Sequence, residues 1–274
     1  MKKWIQKLPV LSRIVLALFL GGAALVASGI VYGHTPIQRY FPFVDVLLLL
    51  GATWVLYRTD KQSLKTIGLN LSLRNTGFLF LGLLIGMAAV AVSNGLRSLY
   101  TGEVWHLGTT ISGMGILKSL YFVLPTAAVQ ELMFRGYPFT KAISKWGVTK
   151  ANILFAILFM LVHVIDRDVM QSIPHMIFLS VVIPVGHLYF ATGLLRSGTL
   201  LLPMGLHWGN NWATHHLFGG SDNGQAIFYT TQKMFNTWPP FIILLLIYTV
   251  FFLLVTWAIW KWRKPDIAGA PAVA

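Results

Sequence analysis

Apolar runs close to the roughly 18 residues that cross a bilayer recur along almost all of this chain. A run of that length, nearly free of charge, cannot serve as the surface of a soluble domain, so most of the polypeptide is committed to helices in lipid. Eight such spans can be marked, at about 12–32, 42–57, 76–96, 115–136, 149–165, 175–194, 198–217 and 239–260. The expected fold class is an all-α polytopic membrane protein. Residues 1–264 form one transmembrane helical domain, and the small-residue tail 265–274 is disordered. Composition agrees: 11% of residues are charged, against roughly 25% in soluble domains, and 56% are hydrophobic.

The formal charge of +13 would point to nucleic acid in a soluble protein. Here the basic residues alternate between connections, as membrane topology demands, so the expected partner is the lipid bilayer and not nucleic acid. One side collects Lys2, Lys3, Lys7 and Arg13, then Arg58, Lys61, Lys65 and Arg74, then Lys141, Lys145 and Lys150, then Arg196, and finally Lys261, Arg263 and Lys264. The opposite loops hold Arg39, Arg97, Arg167 and Lys233. Both termini are therefore expected in the cytoplasm, in a multi-pass protein of a bacterial cytoplasmic membrane. The basic start and the small residues around Ala24–Ser28 imitate a signal peptide, but the apolar run continues to Val31, so it reads as an uncleaved first helix. Trp4, Trp146, Trp238, Trp260 and Trp262 suit an interfacial belt. With no cysteine in the chain, disulfides, cysteine–metal sites and thiol nucleophiles are excluded.

Three of the spans carry a pair of residues at i, i+4: Glu131/Arg135, Phe159/His163 and His207/Asn211. Residues four apart share a helix face. Ionisable groups inside spanning helices are costly unless paired, and by default they mark function. Each pair has a plainer reading: mutual neutralisation of Glu131 and Arg135, a hydrogen-bonded core histidine at His163, and interhelical glue at His207 and Asn211. Their compatible depths, on the order of 10–20 Å from the cytoplasmic boundary, favour one cluster of acid/base and hydrogen-bonding groups. Of the other polar residues, Asp45 reads as structural, His187 as a partner behind the site, and His175 as a boundary residue. His34 and His106 read as loop residues, and Asp166, Arg167 and Asp168 as a solvated turn. His215 and His216, adjacent in sequence, point in different directions and make a poor joint metal site.

Taken in order, Gln130-Glu131-x-x-x-Arg135-Gly136, Phe159-x-x-x-His163 and His207-x-x-x-Asn211 resemble the motifs of the CAAX-protease and bacteriocin-processing (CPBP, or ABI) family of intramembrane endopeptidases. The resemblance covers about 113–217. It implies an eight-helix cavity open to the cytosol and cleavage of membrane-embedded or lipidated, CAAX-like peptide or protein substrates. By that analogy the carboxylate of the first motif and His163 activate a water, while His207 and Asn211 stabilise the oxyanion. Arg135 holds the carboxylate, and Gln130 and Phe159 are supporting residues. No cofactor is expected, and no oligomer is specified.

One position departs from the family pattern, because Gln130 stands where the first glutamate of a Glu-Glu pair is expected. A carboxamide can orient water but cannot take its proton. Glu131 is the expected working base. The alternatives are an inactive relative that binds membrane peptides, and a form in which the base has been replaced by an isosteric amide. Residues 130 and 131 lie about 100° apart on a helix, so the role does not pass automatically from one to the other. Two histidines and a carboxylate can also ligate zinc, but no His-Glu-x-x-His is present, and the non-metal reading is preferred. A proton-coupled transporter is the third class, and the paired broken segments that would favour it are not seen.

Overall fold

The computed structural model describes residues 8–222, 224–230 and 238–262, the Pro239 side chain excepted. The 265–274 tail, Lys2, Lys3, Lys7, Lys233, Arg263, Lys264 and Trp4 lie outside the described residues. Eight helices of at least 12 residues stand where the eight runs were marked: α1 Val10–His34, α2 Val44–Thr59, α3 Leu73–Thr101, α4 Gly113–Phe134, α5 Tyr137–Val164, α6 Ile173–Ser197, α7 Leu201–Trp212 and α8 Trp238–Trp262. By length and composition, five helical stretches can cross a membrane: Val10–His34, Leu73–Thr101, Gly113–Val164, Ile173–Ser197 and Pro240–Trp262. Gly113–Val164 takes in both α4 and α5. Large apolar side chains face outward along these helices, among them Leu11, Val15, Phe19, Val26 and Ile30 on α1 and Ile242, Leu246, Val250 and Leu254 on α8. Such a coat is tolerated in lipid and not in water. The molecule is an integral membrane protein.

Local signals account for the helix ends. Ser72 and Ser112 cap α3 and α4, each hydroxyl accepting from the backbone N–H three residues on. Gly102 and Gly198 close α3 and α6 in the left-handed conformation. Two elements differ from expectation. α5 begins at Tyr137, well before residue 149, and breaks at Gly147 (φ 79°, ψ 168°). Its first part buries Tyr137, Phe139, Ala142 and Ile143 and exposes Ser144 and Lys145, the pattern of a helix lying along an interface. α7 is only 12 residues long, continued by a π-helical turn over Ala213–Leu217.

α7 is short because it is a core element rather than a lipid-facing one. Eight of its first nine residues, Leu202 through Gly209, are buried. Its strongest packing is on α3, through two glycine pairs at i, i+4: Gly82 and Gly86 meet Gly205 and Gly209. A Cβ on Gly205 or Gly209 would collide with the Leu79 or Leu83 carbonyl, and one on Gly82 or Gly86 with the backbone at Leu202 or Leu206. Small residues with this spacing let helix backbones touch in a bilayer. Because 205 and 209 face α3, positions 207 and 211 face away from it.

Contacts define the two ends of the bundle. At one end, Asp60 binds Arg13 and Lys141 and accepts from the Tyr137 hydroxyl (2.9 Å). At the same end, Arg74 donates to the Ser197 carbonyl (3.1 Å), Phe78 packs on Trp262, and Arg196 sits over Trp260. Leu200, entering α7, bonds to Ile67 there. At the other end, Tyr121 packs on Phe43, and Trp212 donates to Ser119 (2.8 Å). That end also carries a small sheet of β1 His106–Leu107, β2 Phe218–Gly219 and β3 Phe228–Tyr229. In it β3 is central, antiparallel to β1 and parallel to β2.

Candidate active site

A cavity of about 1150 Å³ penetrates the bundle between α3, α4, α5, α6, α7 and α8. Its inner wall includes Gln130, Phe159, His163, Phe190, His207, Asn210 and Asn211. Residues from all three sequence motifs are thus brought to one place. Phe159 lies at the hub. His163 packs edge-on to its ring at 4.6 Å, His207 lies at 6.3 Å, and the Arg135 guanidinium sits 4.1 Å over its face. Arg135 also lies 5.3 Å from the Phe190 ring, which stacks on His207 at 4.4 Å and 13°.

The two histidines are oriented in the same manner. His163 Nδ1 lies 2.7 Å from the Phe159 carbonyl one turn back, and His207 Nδ1 lies 2.8 Å from Glu131 Oε1. A carbonyl and a carboxylate only accept, so in each ring Nδ1 carries a proton and Nε2 has no partner among the described residues. Each imidazole is thereby held in its rotamer, His207 by a carboxylate behind the cavity and His163 by the backbone of its own helix.

Glu131 itself does not line the cavity. Its side chain is fully buried, with Oε1 shared between His207 and Arg135 (3.2 Å). The sequence expectation made Glu131 the carboxylate that takes a proton from water. The geometry instead puts it behind His207, while Gln130, the next residue round α4, is on the wall. The carbonyl oxygen of Gln130 is buried without a hydrogen-bond partner among the described residues.

His187 is enclosed, 3.2 Å from Asn152 and edge-on to Phe139, so it supports the back of the Phe159 hub without reaching the cavity. Asp45 accepts from the Val46 amide at the start of α2. Asp166 caps a four-residue turn, Arg167–Met170. His215 lines the cavity far from the hub, and His216 Nδ1 donates to the Gln225 carbonyl (2.9 Å). Among the described residues, no three His, Asp or Glu side chains gather into a metal-binding set.

Sequence reading missed several features. Asn210 adds a second carboxamide beside Asn211. Arg97 is not a loop charge, because it lies in α3 in a buried 2.8 Å ion pair with Glu103, and both line the cavity. The glycine pairs that seat α7 were visible as spacing in the sequence but were not read. The cavity also extends to residues outside the three motifs. Trp105, Phe218, Gly220, Ser221 and Gln225 line it, all at the sheet-bearing end, opposite the lysine-rich end.

Helices of this apolarity enclose paired imidazoles and carboxamides in one cavity of a membrane protein. Residues 112–213 match the family model described as Type II CAAX prenyl endopeptidase Rce1-like. That segment contains all three motifs, and over it the chain is similar to the CAAX proteases, the membrane protease family that its motifs resemble. No curated protein and no solved structure matches the chain.

Proposed function

We propose that this protein is an intramembrane endopeptidase in which all eight helices form the membrane domain of a bacterial cytoplasmic-membrane protein. It cleaves peptide bonds of membrane-embedded or lipidated, CAAX-like substrates in the cavity. The observation that carries the reading is the common orientation of His163 and His207, each held through Nδ1 with Nε2 free beside cavity-lining carboxamides.

In this reading the Gln130 carbonyl accepts one hydrogen of the attacking water, and His163 Nε2 takes the other as the oxygen adds to the scissile carbonyl carbon. The oxyanion that forms is met by the Asn211 amide and by His207 in its doubly protonated form, whose charge Glu131 balances. Collapse breaks the C–N bond, and His163 returns its proton to the leaving amine. Glu131 and Arg135 are positioning residues for His207. The enclosed aromatic walls of Phe159 and Phe190 keep these charges in a low dielectric, where each hydrogen bond counts for more.

The test is release of product from a fluorogenic prenylated CAAX peptide by the full chain in detergent. Turnover that disappears in His163→Ala, with thermal unfolding unchanged, is the expected result. Full turnover in that variant would overturn the assignment. A second reading is favoured by Gln130 itself: with a carboxamide in place of a carboxylate on the inner wall, the cavity binds peptide without cleaving it. Peptide binding without product, reversed by Gln130→Glu, distinguishes that reading from the first.

A further inference from the structure

We propose that the Tyr189 hydroxyl is a substrate-contacting hydrogen-bond donor of the cavity. Its acceptor is a main-chain carbonyl of the bound peptide, within about three residues of the scissile bond. The proposal rests on the reading of the cavity as a peptide site, and it adds a residue that lies outside the three motifs.

A buried tyrosine brings a polar tip that is normally bonded. Among the described residues, Tyr57, Tyr137 and Tyr189 are the tyrosines buried in the core. Tyr57 shares a hydrogen bond with Thr140 (2.8 Å), and Tyr137 donates to Asp60 (2.9 Å). The Tyr189 hydroxyl has no partner among the described residues. A buried hydroxyl without a partner opposes folding. Its presence is accounted for by a partner that the fold itself does not supply.

The position of Tyr189 indicates what that partner is. Val182, Ile183, Gly186, Tyr189 and Phe190 recur along α6 at three- and four-residue spacing and line the cavity as one face. The Tyr189 ring packs on Phe190 at 5.1 Å, and Phe190 stacks on His207 at 4.4 Å. Tyr189 is therefore one ring removed from His207, which meets the oxyanion in the proposed reaction. On its other side the ring meets Phe252 of α8 at 5.7 Å. Val182, Ile183, Gly186 and Phe252 give this part of the wall no charge with which to balance an ion. A phenol in such surroundings suits a neutral acceptor. In an extended peptide that acceptor recurs about every 3.3 Å as the main-chain carbonyl. A peptide whose reacting carbonyl lies at His207 thus offers a neighbouring carbonyl to Tyr189, whatever its side chains.

Tyr189→Phe separates this role from a structural one. Removing a hydroxyl that the fold does not bond leaves the unfolding temperature unchanged or raises it, whereas Tyr57→Phe, which deletes the bond to Thr140, lowers it. Binding is read from the anisotropy of a fluorescent prenylated CAAX peptide. Full chains in detergent carry His163→Ala, so that turnover does not intervene. Tyr189→Phe is expected to raise Kd about 3- to 10-fold, the loss of one neutral hydrogen bond. Main-chain amides of the peptide are then replaced one at a time by thioamides, whose sulfur is the weaker acceptor. One position near the scissile bond is expected to weaken binding to the chain with Tyr189 and not to Tyr189→Phe. An unchanged Kd overturns the proposal. So does a lowered unfolding temperature, or a raised Kd with no thioamide position that tells the two chains apart. A protein that binds the peptide but, with His163 in place, never cleaves it defeats the protease reading and leaves the Tyr189 contact standing. One that cleaves while Tyr189→Phe binds as tightly as the parent does the reverse, and one that binds no peptide defeats both.

Discussion

His207 Nδ1 and Glu131 Oε1 are 2.8 Å apart, on two helices that the sequence separates by 76 positions. The acidic residue of the first motif is therefore joined to the third motif and not to the cavity, and the consequences can be measured residue by residue.

Glu131→Gln keeps the shape of the side chain but removes the charge opposite Arg135, whose guanidinium is fully buried. Breaking one side of a buried pair costs about 3–5 kcal/mol. The expected outcome is a clear fall in thermal stability in detergent together with loss of turnover. A variant as stable as the parent would show that the pair contributes nothing to the fold.

His163→Ala is expected to abolish cleavage with the unfolding temperature near that of the parent. His207→Ala, which also strips the buried Glu131 of its imidazole, is expected to abolish cleavage with a lower unfolding temperature and the helical signal kept. Asn211→Ala is expected to reduce kcat by about 100- to 1,000-fold, the usual cost of one oxyanion donor, with KM little changed. Steady-state kinetics on one peptide checks all three.

Gln130→Glu places a carboxylate on the inner wall beside His163. A positioned general base contributes about 100- to 10,000-fold, so turnover is expected to rise by about 100-fold. Unchanged or lower turnover would mean that the imidazole already meets the whole demand for a base, or that position 130 does not contact the water.

Gly205→Val and Gly209→Val drive a side chain into the α3 backbone at Leu79 and Leu83. Overpacking at such a contact costs about 1–3 kcal/mol or more, and His207 moves with the helix, so stability and turnover fall together. Gly77→Ala and Gly95→Ala, where a Cβ meets nothing within 4 Å, serve as controls expected to be neutral or slightly stabilising.

Much of this was legible in the sequence because helix periodicity is strict. Pairs at i, i+4 bring Phe159 with His163, and His207 with Asn211, to a common face whatever the bundle does, and the apolar runs locate all eight helices. The 100° step between Gln130 and Glu131 was also legible as a warning, and the structure gives it content: one residue faces the cavity and the other faces Arg135. What periodicity cannot supply is which helix lies against which. The Arg97–Glu103 pair forms because Gly102 turns the chain back at the end of α3, a reversal that leaves no trace in hydropathy. The buried seating of α7 depends on four glycines in two helices more than 100 residues apart, and the register between them is a property of packing alone.

That seating bears on how the protein is made. α7 has too few apolar residues to be released into lipid as a span by itself, and it carries His207 and two asparagines that lipid would not accept. Its seat in the bundle exists only where α3 is in place to receive its glycines. His207 and Asn211 reach their places with that seating. A nascent or half-folded chain thus lacks the complete polar cluster, which comes into being only once the helices have closed around it.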